Sequence, residues 1–124
     1  MLSIVALLIV NLVTVSSFSP QFGVREVTYL KMAQEIEVVS QPDQEFLEQK
    51  GVFSWGTWGC GVSKFPWMYD SNESCYLLEG QVTVSPTDGR KPATFGKGDF
   101  VTFPAGMSCE WDVSEAVQKH FMFF

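Results

Sequence analysis

Residues 61–80 read GVSKFPWMYDSNESCYLLEG, and residues 98–109 read GDFVTFPAGMSC. Period-two alternation puts Trp67, Tyr69, Glu73, Cys75 and Leu77 on one face across the short turn Asp70-Ser71-Asn72. The same period puts Cys109, Trp111 and Val113 on one face of their own strand. Gly80 and Gly98 stand where tight turns are expected, because a Cβ would force strain there, and Pro104 with Gly106 sets a bend between two strands. In a small barrel the inward face is the interior. A lone carboxylate, a phenol and a thiol would therefore meet among indoles.

Outward from these segments, short alternating runs recur at intervals of about ten residues, the mark of an all-β sandwich or barrel. They cover residues 64–69, 73–79, 81–85, 91–95, 99–103, 108–113 and 117–124, separated by turn chemistry. Among the turns, Asp88-Gly89 carries a strong two-residue hairpin signal. Upstream, residues 41–51 predict one short helix: Pro42 as the first helical residue, Asp43 and Glu45 in the first turn, Lys50 in the last and Gly51 as the stop. Phe46 and Leu47 would be its buried face. The glycine-interrupted segment around Trp55 and Trp58 reads as an outer flap or a dimer contact.

The first fifteen residues, MLSIVALLIVNLVTV, carry no charge. The run has the length of a signal-peptide core and falls short of the roughly 20 apolar residues that a membrane span needs. Val15 and Ser17 frame a cleavage site before Phe18, so residues 1–17 are expected to be a signal peptide, with a retained anchor as the alternative. The junction, VSS followed by FSP, resembles the two-part targeting signal of algae with complex plastids. Residues 18–31 would then be a transit segment, and ordinary secretion is the competing reading. The domain itself is expected over 32–124.

Composition narrows the function classes. The chain has 124 residues, 8 Lys+Arg against 14 Asp+Glu and a formal net charge of −6. It offers no basic footprint for nucleic acid or for anionic lipid, and no stable membrane association is expected once the signal is removed. Three cysteines, Cys60, Cys75 and Cys109, without a CxxC spacing suit neither a disulfide framework nor a zinc site. The odd number leaves at least one thiol free and favours a compartment where thiols stay reduced. A single histidine, His120, excludes any site built from several imidazoles.

The two opening segments resemble the two motifs of the cupin superfamily. Gly61, Trp67, Tyr69, Glu73 and Gly80 keep the spacing of the first motif, and Gly98, Pro104, Gly106 and Cys109 keep that of the second. The resemblance implies a single jelly-roll barrel with a short N-terminal helix, its motifs within 51–124. The finer likeness is to the subgroup that includes the ureidoglycine aminohydrolase cupin domain. It is carried by Gly56-Thr57-Trp58, Phe65-Pro66-Trp67, Tyr69-Asp70, Glu73, Tyr76-Leu77-Leu78-Glu79-Gly80, Gly98-Asp99, Phe103-Pro104-Ala105-Gly106, Trp111 and Lys119-His120-Phe121. Within that subgroup, small stand-alone members with Trp, Tyr, Glu and Cys at the ligand positions are most similar.

A cupin metal usually takes three imidazoles and a carboxylate. Trp67, Tyr69, Glu73 and Cys109 stand at those four places. An indole N–H only donates, and a phenol must lose a proton of pKa about 10 before it can ligate. Two credible ligands remain, Glu73 and Cys109, too few to hold a protein metal. No metal and no cofactor are therefore expected. The candidate ligand pocket is Trp67, Tyr69, Glu73, Cys109, Trp111 and Lys119, with Glu73 and Tyr69 as candidate catalytic groups.

Desolvation among aromatics disfavours the charge on Glu73 and makes it a candidate acid or base. Lys119 and His120 read first as caps of a sheet edge, though alternation turns one of them inward, where Lys119 opposite Glu73 would make a buried pair. Cys109, beside a carboxylate and without a placed histidine, should be a poorly ionised thiol. Two readings stay open for the interior: a pocket for a small polar ligand, or a barrel filled by Trp67, Tyr69 and Trp111 with Glu73 bonded to Tyr69. The function expected is a metal-free cupin that binds a small molecule or serves a structural role; the alternative is an enzyme using Glu73. The C-terminal Phe121, Phe123 and Phe124 read as core or interface, and a homodimer is expected.

Overall fold

One sixteen-residue strand organises the domain. In the computed structural model, which describes residues 34–124, Ser108–Phe123 runs without interruption and pairs along both edges. We number the strands in chain order: β1 (Glu37–Val39), β2 (Gly56–Cys60), β3 (Ser63–Met68), β4 (Glu73–Pro86), β5 (Ala93–Gly96), β6 (Phe100–Phe103) and β7 (Ser108–Phe123). Helix α1 spans Gln44–Lys50, and a 3-10 turn at Val52–Ser54 leads from it into β2.

All the pairings are antiparallel. On one edge β7 pairs with β4, from Glu73↔Phe123 to Pro86↔Cys109. Its other edge takes β3, with Trp67↔Cys109 and Phe65↔Trp111, and then β2, with Trp58↔Lys119. The far edge of β4 is shared in the same way, by β6 beside Glu73 to Tyr76 and by β5 beside Gln81 to Val84. β1 closes the order against β6. Two long bent strands, each flanked by two short ones, form a jelly-roll barrel, as the alternation predicts.

The core follows from that alternation. Cys109, Trp111, Val113, Val117 and Lys119 of β7 point inward and are buried, as are Cys75, Leu77, Val82 and Val84 of β4. Phe95, Val101, Phe103, Met107 and Tyr69 complete the main cluster. A second cluster, Leu47, Val52 and Phe100, seats α1 and the 3-10 turn against β6, with Phe46 meeting Phe100 edge-on at 5.2 Å.

Several expectations need correction. Gly80 closes no turn: β4 passes straight through it, at φ +94° and with register shifts on either side. A Cβ there would collide with the carbonyl oxygen of Ala116, so glycine lets β4 and β7 bend against each other. Ser114-Glu115 likewise lies within β7, so the two runs read as 108–113 and 117–124 are one strand. The segment around Trp58 is a paired strand, β2, and β1 had no signal of its own.

Pro42 lies outside α1, whose N-cap is Asp43; its carboxylate accepts from the Phe46 N–H at 2.9 Å, and Gly51 at φ +71° caps the other end. Asp88-Gly89 sits in a longer connection, from Thr87 to Pro92, where the Asp88 carboxylate takes the Arg90 guanidinium at 2.7 Å. Residues 35–124 form one compact unit. The signal peptide at 1–17, the transit segment at 18–31 and the domain start at Met32 lie outside the described residues.

Candidate functional site

Glu73 opens β4 directly after the Asp70-Ser71-Asn72 turn, and Lys119 stands on the adjacent β7 opposite Leu77. The lysine stem runs along the barrel interior toward the start of β4. Its ammonium donates to Glu73 Oε2 at 2.5 Å, with both side chains buried. Three rings surround the same nitrogen: the centroids of Trp111, Trp58 and Phe121 lie 5.0, 5.3 and 5.9 Å away. Ring faces carry negative potential, so the cage stabilises the ammonium that Glu73 neutralises.

This pair lines a cavity of about 220 Å³ whose remaining walls are Trp58, Phe65, Trp67, Trp111, Phe121 and Phe123. The wall is braced by ring contacts: Phe65 stacks on Trp111 at 6.0 Å, and Trp58 meets Trp111 edge-on at 6.1 Å. Trp67 and Phe123 are about half exposed and stand at the rim. The interior is therefore an aromatic pocket with one polar spot, the Lys119–Glu73 pair.

Of the six residues expected in the pocket, Trp67, Glu73, Trp111 and Lys119 line this cavity, while Tyr69 and Cys109 belong to the packed core. The Tyr69 ring stacks on Phe103 at 4.7 Å, and its hydroxyl accepts the Trp111 indole N–H at 3.1 Å. Its backbone is held as well: the Tyr69 N–H donates to the Met107 carbonyl at 3.0 Å, and its carbonyl accepts from Gly106 at 2.6 Å. The Pro104–Gly106 turn thus fixes this residue. Burial, with the Glu73 carboxylate adding to it, pushes the Tyr69 hydroxyl pKa well above its ordinary value. Burial also raises the thiols, Cys109 to about 11 and Cys75 to about 12, the latter against the opposing pull of the Lys119 ammonium.

Four wall residues escaped the sequence reading: Trp58, Phe65, Phe121 and Phe123. Phe121 and Phe123 follow Lys119 at steps of two on one strand, so alternation extended from Lys119 would have found them. Trp58 and Phe65 are visible only through register, since they pair with Lys119 and Trp111. His120 points away from the cavity on the other face of β7, its ring edge-on to Phe53 at 5.8 Å.

The donor set does not fit a cupin metal. Trp67 offers an indole, Tyr69 holds its proton and accepts from Trp111, Cys109 holds its proton in the core, and Glu73 Oε2 is bonded to an ammonium. Among the described residues no three His, Cys, Asp or Glu side chains gather as a ligand set.

A family model described as the EutQ-like cupin domain matches residues 47–121. The chain belongs to the EutQ-like cupin family. This cupin is similar to a DUF861-family protein of Thermotoga maritima, at 44% identity over 73% of this chain and 100% of that chain, with a TM-score of 0.69. The Clostridium difficile EutQ protein, 16% identical over 72% of this chain and 67% of its own, superposes at 0.51 and shares the fold. A putative ethanolamine utilization protein Q from Salmonella typhimurium does so at 0.50, with 22% identity over 72% and 68%. No curated protein matches this cupin.

Proposed function

We propose that this cupin is a metal-free binding domain for a small planar molecule carrying one hydrogen-bond acceptor. The observation that carries the reading is the aromatic cavity with the Lys119–Glu73 pair as its one polar element. At about 220 Å³ it falls below the roughly 300–1,000 Å³ usual for ligand pockets, which favours a single-ring molecule or smaller. Flat walls suit a flat ligand, and the remaining ammonium protons of Lys119 suit a carbonyl, carboxylate or hydroxyl oxygen.

The same reading places the chain with small stand-alone cupins akin to the ureidoglycine aminohydrolase cupin domain in frame but not in metal chemistry. An enzymatic role would centre on Glu73, because Glu73 reaches the cavity while the Tyr69 hydroxyl is engaged by Trp111. A homodimer is supported by the exposed Trp67, Met68, Phe123 and Phe124, which cluster in sequence at the ends of two strands. Action in a plastid or a secretory lumen rests on the targeting pattern of residues 1–31.

Two measurements on the purified protein test the proposal. Elemental analysis should find no stoichiometric transition metal; a full equivalent that is lost in Glu73→Gln would overturn the metal-free reading. Calorimetric titration with benzyl alcohol should show saturable binding. Trp67→Ala, at an exposed rim position, should weaken it by up to about tenfold, the upper end of an aromatic contact worth roughly 0.5–1.5 kcal/mol. Binding that is absent, or unchanged in Trp67→Ala, would remove the cavity as the site.

A further inference from the structure

The Lys119–Glu73 pair has the parts of a carbonyl-capturing site. A lysine becomes a nucleophile when its amine sheds a proton, which an apolar surrounding promotes and for which a bonded carboxylate is a ready acceptor. Lys119 is buried and has a carboxylate oxygen 2.5 Å from its nitrogen. It also lines a cavity large enough for a small ligand. The other described lysines, Lys50, Lys64, Lys91 and Lys97, are exposed, and none of them lines that cavity. Placing two opposite charges in such a surrounding is costly, and moving one proton from nitrogen to oxygen leaves a neutral amine beside a neutral acid.

We propose that Lys119 forms a reversible imine with a small aldehyde or ketone held in the aromatic cavity, with Glu73 carrying the proton. This rests on the cavity being a ligand site and names the ligand class. Glu73 first takes one proton from the ammonium. The free amine attacks the carbonyl carbon, a C–N bond forms, and a proton passes from nitrogen to the former carbonyl oxygen. Glu73 then returns its proton to that hydroxyl, the C–O bond breaks, and water leaves. The sum is ammonium plus carbonyl giving protonated imine plus one water, with Glu73 again a carboxylate and nothing oxidised or reduced. The flat aromatic walls hold a conjugated carbonyl compound against the amine and limit the water that would reverse the step.

The test uses the full-length protein, benzaldehyde as probe and borohydride to fix any imine as a secondary amine. Intact mass should show one benzyl adduct per chain, and peptide mapping should place it on Lys119. Lys119→Arg, which keeps the charge and the contact with Glu73, should give none. Glu73→Gln should slow adduct formation about 100-fold, the scale of general acid–base assistance.

Labelling spread over the surface lysines, or equal labelling of Lys119→Arg, would overturn the proposal. Benzyl alcohol, which has the ring and oxygen but no carbonyl, separates the two claims. If it binds and benzaldehyde gives no adduct, the cavity stands and the imine does not. If neither compound binds, both readings fall. The wild-type peptide map decides the matter even where a variant does not fold.

Discussion

The indole N–H of Trp111 donates to the hydroxyl of Tyr69 across 3.1 Å, deep in the barrel. The bond joins a residue that walls the cavity to one that supports it from the core. It also uses an oxygen that stands at a cupin ligand position, tying that oxygen to packing.

Tyr69→Phe keeps the ring stacked on Phe103 but leaves the Trp111 N–H without its acceptor. A buried donor left unpaired costs about 1–3 kcal/mol. Urea denaturation should show that loss, with binding of benzyl alcohol retained. Unchanged stability with binding abolished would place the phenol in the site and not in the core.

The buried ion pair should be strongly coupled. Lys119→Met strands a carboxylate and Glu73→Gln strands an ammonium, and breaking such a pair from one side costs about 3–5 kcal/mol. The double variant should recover much of that, because neither charge then remains. Losses that simply add in a double-mutant cycle would show that the two side chains act independently.

Thiol chemistry should divide by depth. Cys60 is half-buried near the end of β2, whereas Cys75 and Cys109 are buried free thiols. Iodoacetamide at pH 8 should modify Cys60 in the native protein, and all three after denaturation.

Stability should also fall with alkali. Folding raises the two buried thiols from 9.0 to about 12 and about 11, so the folded state favours their protonated forms. That contribution is complete below pH 9 and is lost as the pH rises through 11–12; the raised Tyr69 hydroxyl acts with the same sign. The thermal midpoint measured across pH 8 to 12 should fall above pH 9, and less steeply in Cys109→Ala. A flat profile would mean that these groups ionise without opening the core.

Gly80→Ala should be among the most damaging single-methyl additions. It combines a positive φ, worth about 1–2 kcal/mol against an L side chain, with a collision at the Ala116 carbonyl. The midpoint of unfolding should drop well below that of Gly89→Ala, whose φ is also positive but whose Cβ position is open. Equal losses at the two sites would make the bend of β4 against β7 unimportant.

How much of this was legible depended on the range of each interaction. Alternation and glycine spacing are local, and they predict the barrel and the inward face of β4, while leaving the meeting of Glu73 with Lys119 as one possibility that the register of β4 on β7 decides. The ends of α1 were legible except at Pro42, which precedes the Asp43 cap. Register is not local. Nothing in residues 56–60 announces that they pair with 117–121, so Trp58 read as a flap although it is a cavity wall. Gly80 carried a true signal for unusual backbone, but a bulge and a turn ask for the same residue. Whether Tyr69 faces a cavity or a neighbouring ring depends on how the rings of Phe103 and Trp111 pack, which no spacing encodes.

The unbroken run of β7 has a dynamic consequence. Because this strand bonds to β4 along one edge and to β3 and β2 along the other, no short strand can peel away without exposing part of its ladder. Its central amides should exchange with solvent only when the whole domain opens, while those of β1 and α1 exchange through local fraying. A molecule seated beside Lys119 would then slow exchange along the whole centre of β7, the one strand that holds the barrel shut.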